Sequence, residues 1–217
     1  MVIDGIGAHI GDNILNIPNL HKPSLQEKDE NINNLIYRKE NYIPSDICDE
    51  VIKYAEENGY IRDIRNFPYT NQHNTFTCLL PLNNNLHNAL EPLWQEMINF
   101  FNFDITFIEP YEVKKYVKTS RFGSHTDMYS GLNNKLDRKL TISIQLSDRD
   151  EYVGGDLSVN HFHVNGANKP RAFHKEVLSG NKGTVFAFPS FLPHEVSMVL
   201  SGVRWVVIGW AWGPYWR

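Results

Sequence analysis

From Ile105 to Trp210 apolar and polar residues alternate with a period of two, in short runs cut by Gly, Pro and Asn. Side chains along an extended strand point to alternate faces, so this pattern commits the C-terminal half to β-structure. The runs predict strands at Tyr111–Lys118, Lys139–Leu146, Asp156–Val159, Thr184–Phe188, His194–Leu200 and Val203–Trp210. Helical periodicity is confined to the N-terminal half. After Pro44, Ile47, Val51, Ile52 and Ala55 form an apolar stripe, Ser45 or Asp46 can cap the orphan amides, and Gly59 ends the helix. A second helix is predicted around Leu86–Phe101, with Leu86, Ala89, Leu90, Leu93, Met97 and Phe100 facing the core. Pro92 within it requires a late start or a kink.

Thr75–Leu80 reads as a further strand, ended by Pro81. Arg62–Asn74 and Met128–Asp137 read as loops, and residues 1–40 as an irregular leader with a short strand at Asn34–Lys39. Many short strands with helices gathered at one side predict a mainly β fold with supporting α-helices around a double-stranded β-helix, or jelly-roll, core. The expected organisation is one domain over 1–217: leader 1–40, helical support 41–104, jelly-roll core 105–212.

Alternation also assigns faces. Leu140, Ile142, Ile144 and Leu146 share one side of their strand, and Thr141, Ser143 and Gln145 share the other. Tyr116 lies on a face with Glu112, Lys114 and Lys118. Those polar faces either meet solvent or line a barrel interior, where polar groups are costly unless they find partners or ligands.

The formal net charge of −4 and the scattered Lys and Arg carry no footprint for nucleic acid or an anionic membrane. Cys48 and Cys78 are too few for a disulfide framework and read as free thiols in a reducing compartment. The start, Met1 to Gly7, lacks the basic and apolar character of a signal peptide, and no run is long and apolar enough to span a membrane, so the expected location is cytoplasmic.

Chemistry concentrates in Gly123-Ser124-His125-Thr126-Asp127, read with His194. His125 and Asp127, two residues apart, share a face of an extended chain, and His194 supplies a second imidazole from another strand. Two imidazoles and one carboxylate on one face of an ion suit Fe(II) and leave the opposite positions open. Arg204 follows ten residues after His194, at the start of an apolar run. It is either a salt-bridge partner on a strand face or, between Val206, Ile208 and Trp210 on its own side, a buried cation for a carboxylate. A rival metal pairing is His161-Phe162-His163 with His174 nearby; Asn160–Glu176 reads instead as an inserted surface loop at the site mouth. The tail tryptophans Trp205, Trp210, Trp212 and Trp216 read as packing, with Trp212 and Trp216 the two expected at the surface.

The order His-x-Asp, a long gap, His, then Arg resembles the Fe(II)- and 2-oxoglutarate-dependent dioxygenases, most closely their prolyl-4-hydroxylase-like branch. The surroundings carry the resemblance further: Tyr116, Arg138-Lys139-Leu140-Thr141, Tyr152 to Leu157, Lys182 to Phe188, Pro193-His194-Glu195-Val196 and Gly202-Val203-Arg204. It implies that His125, Asp127 and His194 hold Fe(II), and that Arg204 binds the distal carboxylate of 2-oxoglutarate. Tyr116 and Thr141 are candidate hydrogen-bond donors to that carboxylate, Tyr116 having core packing as its other reading. The implied reaction consumes O₂ and hydroxylates an unactivated C–H, releasing succinate and CO₂, with ascorbate as a supporting reductant. The expected substrate is an amino-acid side chain, prolyl among the candidates, in a peptide or protein, or else a small molecule. The alternative is a non-catalytic jelly-roll module that binds metal or an organic acid.

Overall fold

The computed structural model describes residues 15–16, 35–66, 72–129, 136–163 and 172–216. In chain order the elements are β1 (Leu15–Asn16), β2 (Tyr37–Lys39), α1 (Ser45–Asn58), β3 (Ile61–Asn66), β4 (Gln72–Leu80), α2 (Asn85–Phe101), β5 (Phe107–Ile108) and β6 (Tyr111–Tyr116). They continue with β7 (Phe122–His125), β8 (Leu136–Gln145), β9 (Tyr152–Gly154), β10 (Leu157–His163), β11 (Ala172–Leu178), β12 (Val185–Pro189), β13 (His194–Val196), β14 (Val199–Gly202) and β15 (Arg204–Pro214). Neighbouring strands run β11-β10-β13-β7-β4-β6-β15-β8-β12-β2, and β14 with β9 makes a separate ribbon. All of these pairs are antiparallel. The result is the jelly-roll expected from the alternation.

Two apolar clusters lie on opposite faces of β6, β15, β8 and β12. On one face, Val113, Leu140, Ile142, Ile144, Leu146, Val185, Ala187, Val207 and Ala211 pack with the helices, which contribute Cys48, Val51, Ala55, Leu86, Leu90, Leu93, Trp94, Met97 and Ile98. Each large aliphatic side chain buried there contributes about 1.5–3 kcal/mol against exposure. On the other face, Tyr116, Phe186, Phe188 and Val206 pack with Leu157, Val159, Val196 and Val199 to fill part of the barrel. The polar side of β8 belongs to this interior: Thr141, Ser143 and Gln145 are 1%, 1% and 2% exposed. Solvent is therefore not what those side chains face.

α1 spans its expected stripe and ends at Gly59, whose φ of 78° suits a residue without Cβ and whose N–H donates to the Ala55 carbonyl. Its start differs from expectation. Pro44 is the N-cap, with no side-chain cap bond, and the Asp46 carboxylate reaches only the neighbouring Ile47 N–H, at 3.0 Å. α2 begins at Asn85, not after Pro92, because the Asn84 side chain accepts from His87 N–H at 2.9 Å and starts the helix early. Trp94 and Ile98 join its buried face, while Phe100 is 46% exposed against the ring of Tyr37.

Two segments read as loops are hairpins. Arg62–Asn74 falls largely within β3 and β4, which pair from Ile61↔Thr77 to Asn66↔Gln72; residues 67–71 lie outside the described set. Asn160–Glu176 falls within β10 and β11, paired from Leu157↔Leu178 to His163↔Ala172, with 164–171 outside it. The predicted strand His194–Leu200 is two, β13 and β14. Of the leader, only β1, beside β5, and residues from 35 onward are described. Of Met128–Asp137, residues 130–135 lie outside the description, and Leu136 and Asp137 open β8. Trp212 is buried, stacked on Phe107 with ring centres 5.7 Å apart; only Trp216 of the tail pair reaches the surface.

Candidate functional site

β13 lies beside β7 with His194 directly opposite His125, so two adjacent strands bring the imidazoles together, centroids 4.3 Å apart and rings tilted by 53°. Asp127 continues from β7 in extended chain, its N–H held by the Ser190 carbonyl at 2.9 Å. Its Oδ1 lies 3.5 Å from His125 Nε2 and its Oδ2 3.3 Å from His194 Nε2. One ligand atom from each residue falls within 4.8 Å of the other two, close enough for one ion.

The backbone fixes which ring nitrogens face that point. His125 Nδ1 lies 2.8 Å from the Gly123 carbonyl and His194 Nδ1 lies 3.0 Å from the Leu192 carbonyl. A carbonyl only accepts, so each Nδ1 carries a proton and each Nε2 of the neutral ring keeps its lone pair for a metal. Burial opposes ionisation of Asp127, but His194 and His125, where protonated beside it, outweigh this by charge and hydrogen bonding and hold the carboxyl well below its usual range. Burial pushes the His194 imidazole down; Asp127 and the Leu192 carbonyl reverse this and leave it raised. The Thr141 hydroxyl donates to Asp127 Oδ2 at 3.0 Å and lies 3.0 Å from Ser190 Oγ. It is engaged with a candidate metal ligand, not with Arg204.

Arg204, 2% exposed, opens β15 opposite Tyr116 of β6, its guanidinium 5.3 Å from the centre of the Tyr116 ring. Its Nη2 donates to Gln145 Oε1 at 3.2 Å. Among the described residues, the remaining donors, Arg204 Nε and Nη1, have no hydrogen-bond partner, and neither do Gln145 Nε2 and Ser143 Oγ on β8. A buried cation with unsatisfied donors is costly in isolation, so this cluster fits an anionic ligand with several acceptor oxygens. β8 joins the two centres, Thr141 touching Asp127 and Gln145 touching Arg204. The four-residue step between them spans on the order of 13 Å of strand.

Close packing makes room for Arg204. Gly155 has φ of 64°, and a Cβ there would lie 2.9 Å from Val199 Cγ2 and 3.2 Å from Arg204 Cδ. Burial pushes the Tyr116 hydroxyl up, more than Lys114 and Arg204 pull it down, and keeps it a neutral donor.

All six residues singled out in the sequence thus line one interior, with Thr141 placed beside the triad. The sequence placed Ser143 and Gln145 on the polar face of β8, open between solvent and the interior, without assigning them to the site; Ser190 and Gly155 were not singled out, and nothing local marks Ser190. Sequence reasoning also missed Arg138, which forms a two-pronged pair with Glu109 at 2.6 and 2.8 Å and lies 4.1 Å over the Trp210 ring.

The 2OG-Fe(II) oxygenase superfamily matches over residues 111–212. A PKHD-type hydroxylase of Prochlorococcus marinus is 31% identical over 96 residues, 44% of this chain and 38% of that protein. A PKHD-type hydroxylase of Acinetobacter baumannii is 29% identical over 100 residues, 44% of this chain and 40% of that protein. The chain thus aligns with about two-fifths of the length of these curated relatives. Among solved structures, a Pseudomonas putida prolyl-4-hydroxylase superposes with a TM-score of 0.61 at 13% identity, covering 82% of this chain and 91% of that one. The viral collagen prolyl hydroxylase of Paramecium Bursaria Chlorella virus-1, in its 2OG complex, superposes with a TM-score of 0.59 at 17% identity, covering 83% and 97%. At those identities the superpositions establish a shared fold.

Proposed function

Residues 111–212 belong to the 2OG-Fe(II) oxygenase superfamily, and from that premise we propose that the chain is an Fe(II)- and 2-oxoglutarate-dependent hydroxylase. The observation that carries the proposal is the unsatisfied donor set around Arg204, set along one strand from a triad with two neutral imidazole faces and a carboxylate. A dicarboxylate that also reaches the metal satisfies both ends at once. His125, Asp127 and His194 would hold Fe(II), and Arg204, with Gln145 and Ser143, would receive the distal carboxylate. When bound, iron and 2-oxoglutarate supply the activation of O₂, whose two oxygen atoms end in succinate and in the hydroxylated product, with CO₂ released.

The chain's own residues do the rest. The Gly123 and Leu192 carbonyls take the Nδ1 protons, so that each neutral ring presents Nε2 to the ion. Thr141 holds the carboxylate of Asp127, and the Ser190 carbonyl holds its backbone N–H. Phe188, packed on the His194 ring with centres 4.9 Å apart, and Phe122, 4.1 Å from that of His125, hold the two rings by packing against them. We assign the substrate as an amino-acid side chain in a peptide or protein, prolyl first, supported by the fold shared with two prolyl hydroxylases. A free amino acid or other small molecule is the other arm of the screen. The chain carries two buried free thiols, Cys48 and Cys78, and none of its described helices is long and apolar enough to cross a membrane; the thiols favour a reducing compartment such as the cytoplasm.

A non-catalytic module that keeps metal or an organic acid is the less favoured reading, since binding alone needs no triad with open metal positions beside the cation. An anaerobic titration with Fe(II) and 2-oxoglutarate separates the two. A visible charge-transfer band that needs both components, decays on admitting O₂ and yields succinate is expected. A folded protein that gives no band and no succinate overturns the proposal.

A further inference from the structure

A second group of metal-ligating side chains stands on the β10–β11 hairpin, apart from the triad. His161 of β10 is directly opposite His174 of β11, and Glu176 is opposite Val159, one pleat further along. Residues two apart on a strand share a face, so all three side chains project from the same side of the hairpin. His161 is 5% exposed, its Nε2 lies 3.1 Å from Glu176 Oε2, and its ring meets that of His174 edge to face with centres 5.4 Å apart. One ligand atom from each residue lies within 4.8 Å of the others.

We propose that His161, His174 and Glu176 form a second metal site, for a divalent transition ion of the Zn²⁺ kind. An ion pair needs only His161 and Glu176; the register of the hairpin adds a second imidazole to the same point. Two imidazoles and one carboxylate are a zinc donor set, three protein ligands leaving one position for water. Hard cations such as Mg²⁺ prefer all-oxygen sites. Because the ligands come from two hydrogen-bonded strands, their α-carbons are held before the ion arrives. The site is distinct from the triad: β10 meets β13 through Val159↔His194, so His161 stands two residues beyond the row that carries His194. A bound ion would pin β10 to β11 beside the barrel mouth.

The test is zinc counting on the full chain, stripped with chelator, dialysed against Zn²⁺ and desalted. Zn²⁺ also enters the triad, so the native protein is expected to retain two equivalents. His174→Ala and Glu176→Gln should each retain one, and the His125→Ala/His194→Ala double variant should also retain one. The equivalent that stays bound reports that each variant is folded. Native protein with a single equivalent, lost in the double variant and kept in His174→Ala and Glu176→Gln, overturns the proposal. Two equivalents that persist in both hairpin variants overturn it equally. A single equivalent lost only in the hairpin variants would uphold this site and sink the triad, so the two readings fail separately.

Discussion

Arg204 and Gln145 share one hydrogen bond, Nη2 to Oε1 at 3.2 Å, on adjacent strands of the barrel interior, and neither side chain completes its bonding from the protein. A buried guanidinium in that state destabilises the ligand-free fold and rewards any carboxylate that reaches it. Arg204→Met should therefore raise the melting temperature of the ligand-free protein and remove the rise that 2-oxoglutarate gives the native chain. Charge-assisted hydrogen bonds are worth about 1.5–3 kcal/mol, so the 2-oxoglutarate requirement should climb by roughly 10- to 100-fold. The iron requirement should hardly move. Differential scanning fluorimetry and steady-state assays check both; equal shifts in the two requirements would count against the carboxylate role.

Thr141 divides the two centres. Bonded to Asp127 and Ser190, it should act through the metal ligand. Outer partners of metal ligands are worth about 10- to 100-fold in affinity, so Thr141→Val should weaken Fe(II) binding by that order. The 2-oxoglutarate KM at saturating iron should stay near native. A change in that KM alone would return Thr141 to the role of carboxylate donor.

Gly155 should tolerate no side chain. Its φ of 64° and the short approaches to Val199 and Arg204 predict that Gly155→Ala costs about 1–3 kcal/mol and raises the 2-oxoglutarate requirement by displacing Arg204. Gly59→Ala is the control: φ is 78° there too, but nothing lies within 4 Å of the added carbon. It should cost stability alone. Urea denaturation together with 2-oxoglutarate titration separates the two effects.

Acid should weaken the helix-side core through His87. Burial lowers its pKa, against a smaller rise from Glu91, and its Nδ1 lies 2.9 Å from the Tyr111 hydroxyl. The unfolded chain takes up this proton more readily than the folded one, so stability falls as pH drops below about 6.5. His87→Gln should flatten that loss between pH 7 and 5, measured as the difference in urea midpoints. A variant that tracks the native slope would show that His87 titrates alike in both states.

The parts legible in the sequence are those where burial writes a period. β8 alternates because one face packs on helices and the other lines the barrel, β15 reads as one apolar run because both its faces are buried, and α1 and α2 carry stripes because one side of each meets the core. The grouping of the candidate triad was readable because His125 and Asp127 are two apart in sequence and His194 opens its own strand. β3 escaped because it lies at a sheet margin: Ile61 is 79% exposed, and its sequence, Ile-Arg-Asp-Ile-Arg-Asn, spaces its two apolar residues three apart and so carries no period of two. The β10–β11 hairpin escaped because His161, His174 and Glu176 replace the apolar residues that would have marked its inner face. Ser190 and the Arg138–Glu109 pair were invisible for another reason. Their partners lie far off in sequence, and only the folded register brings them together.

The central sheet, with helices on one side and a buried polar interior on the other, divides its odd and even positions between two environments. Along Leu140-Thr141-Ile142-Ser143-Ile144-Gln145, adjacent residues answer to different demands, one to cohesion and the next to recognition. A library confined to inward positions other than Thr141, Ser143 and Gln145 can reshape what the barrel accepts while the outward ones keep it folded. The same chain could thus acquire new appetites without having to relearn its shape.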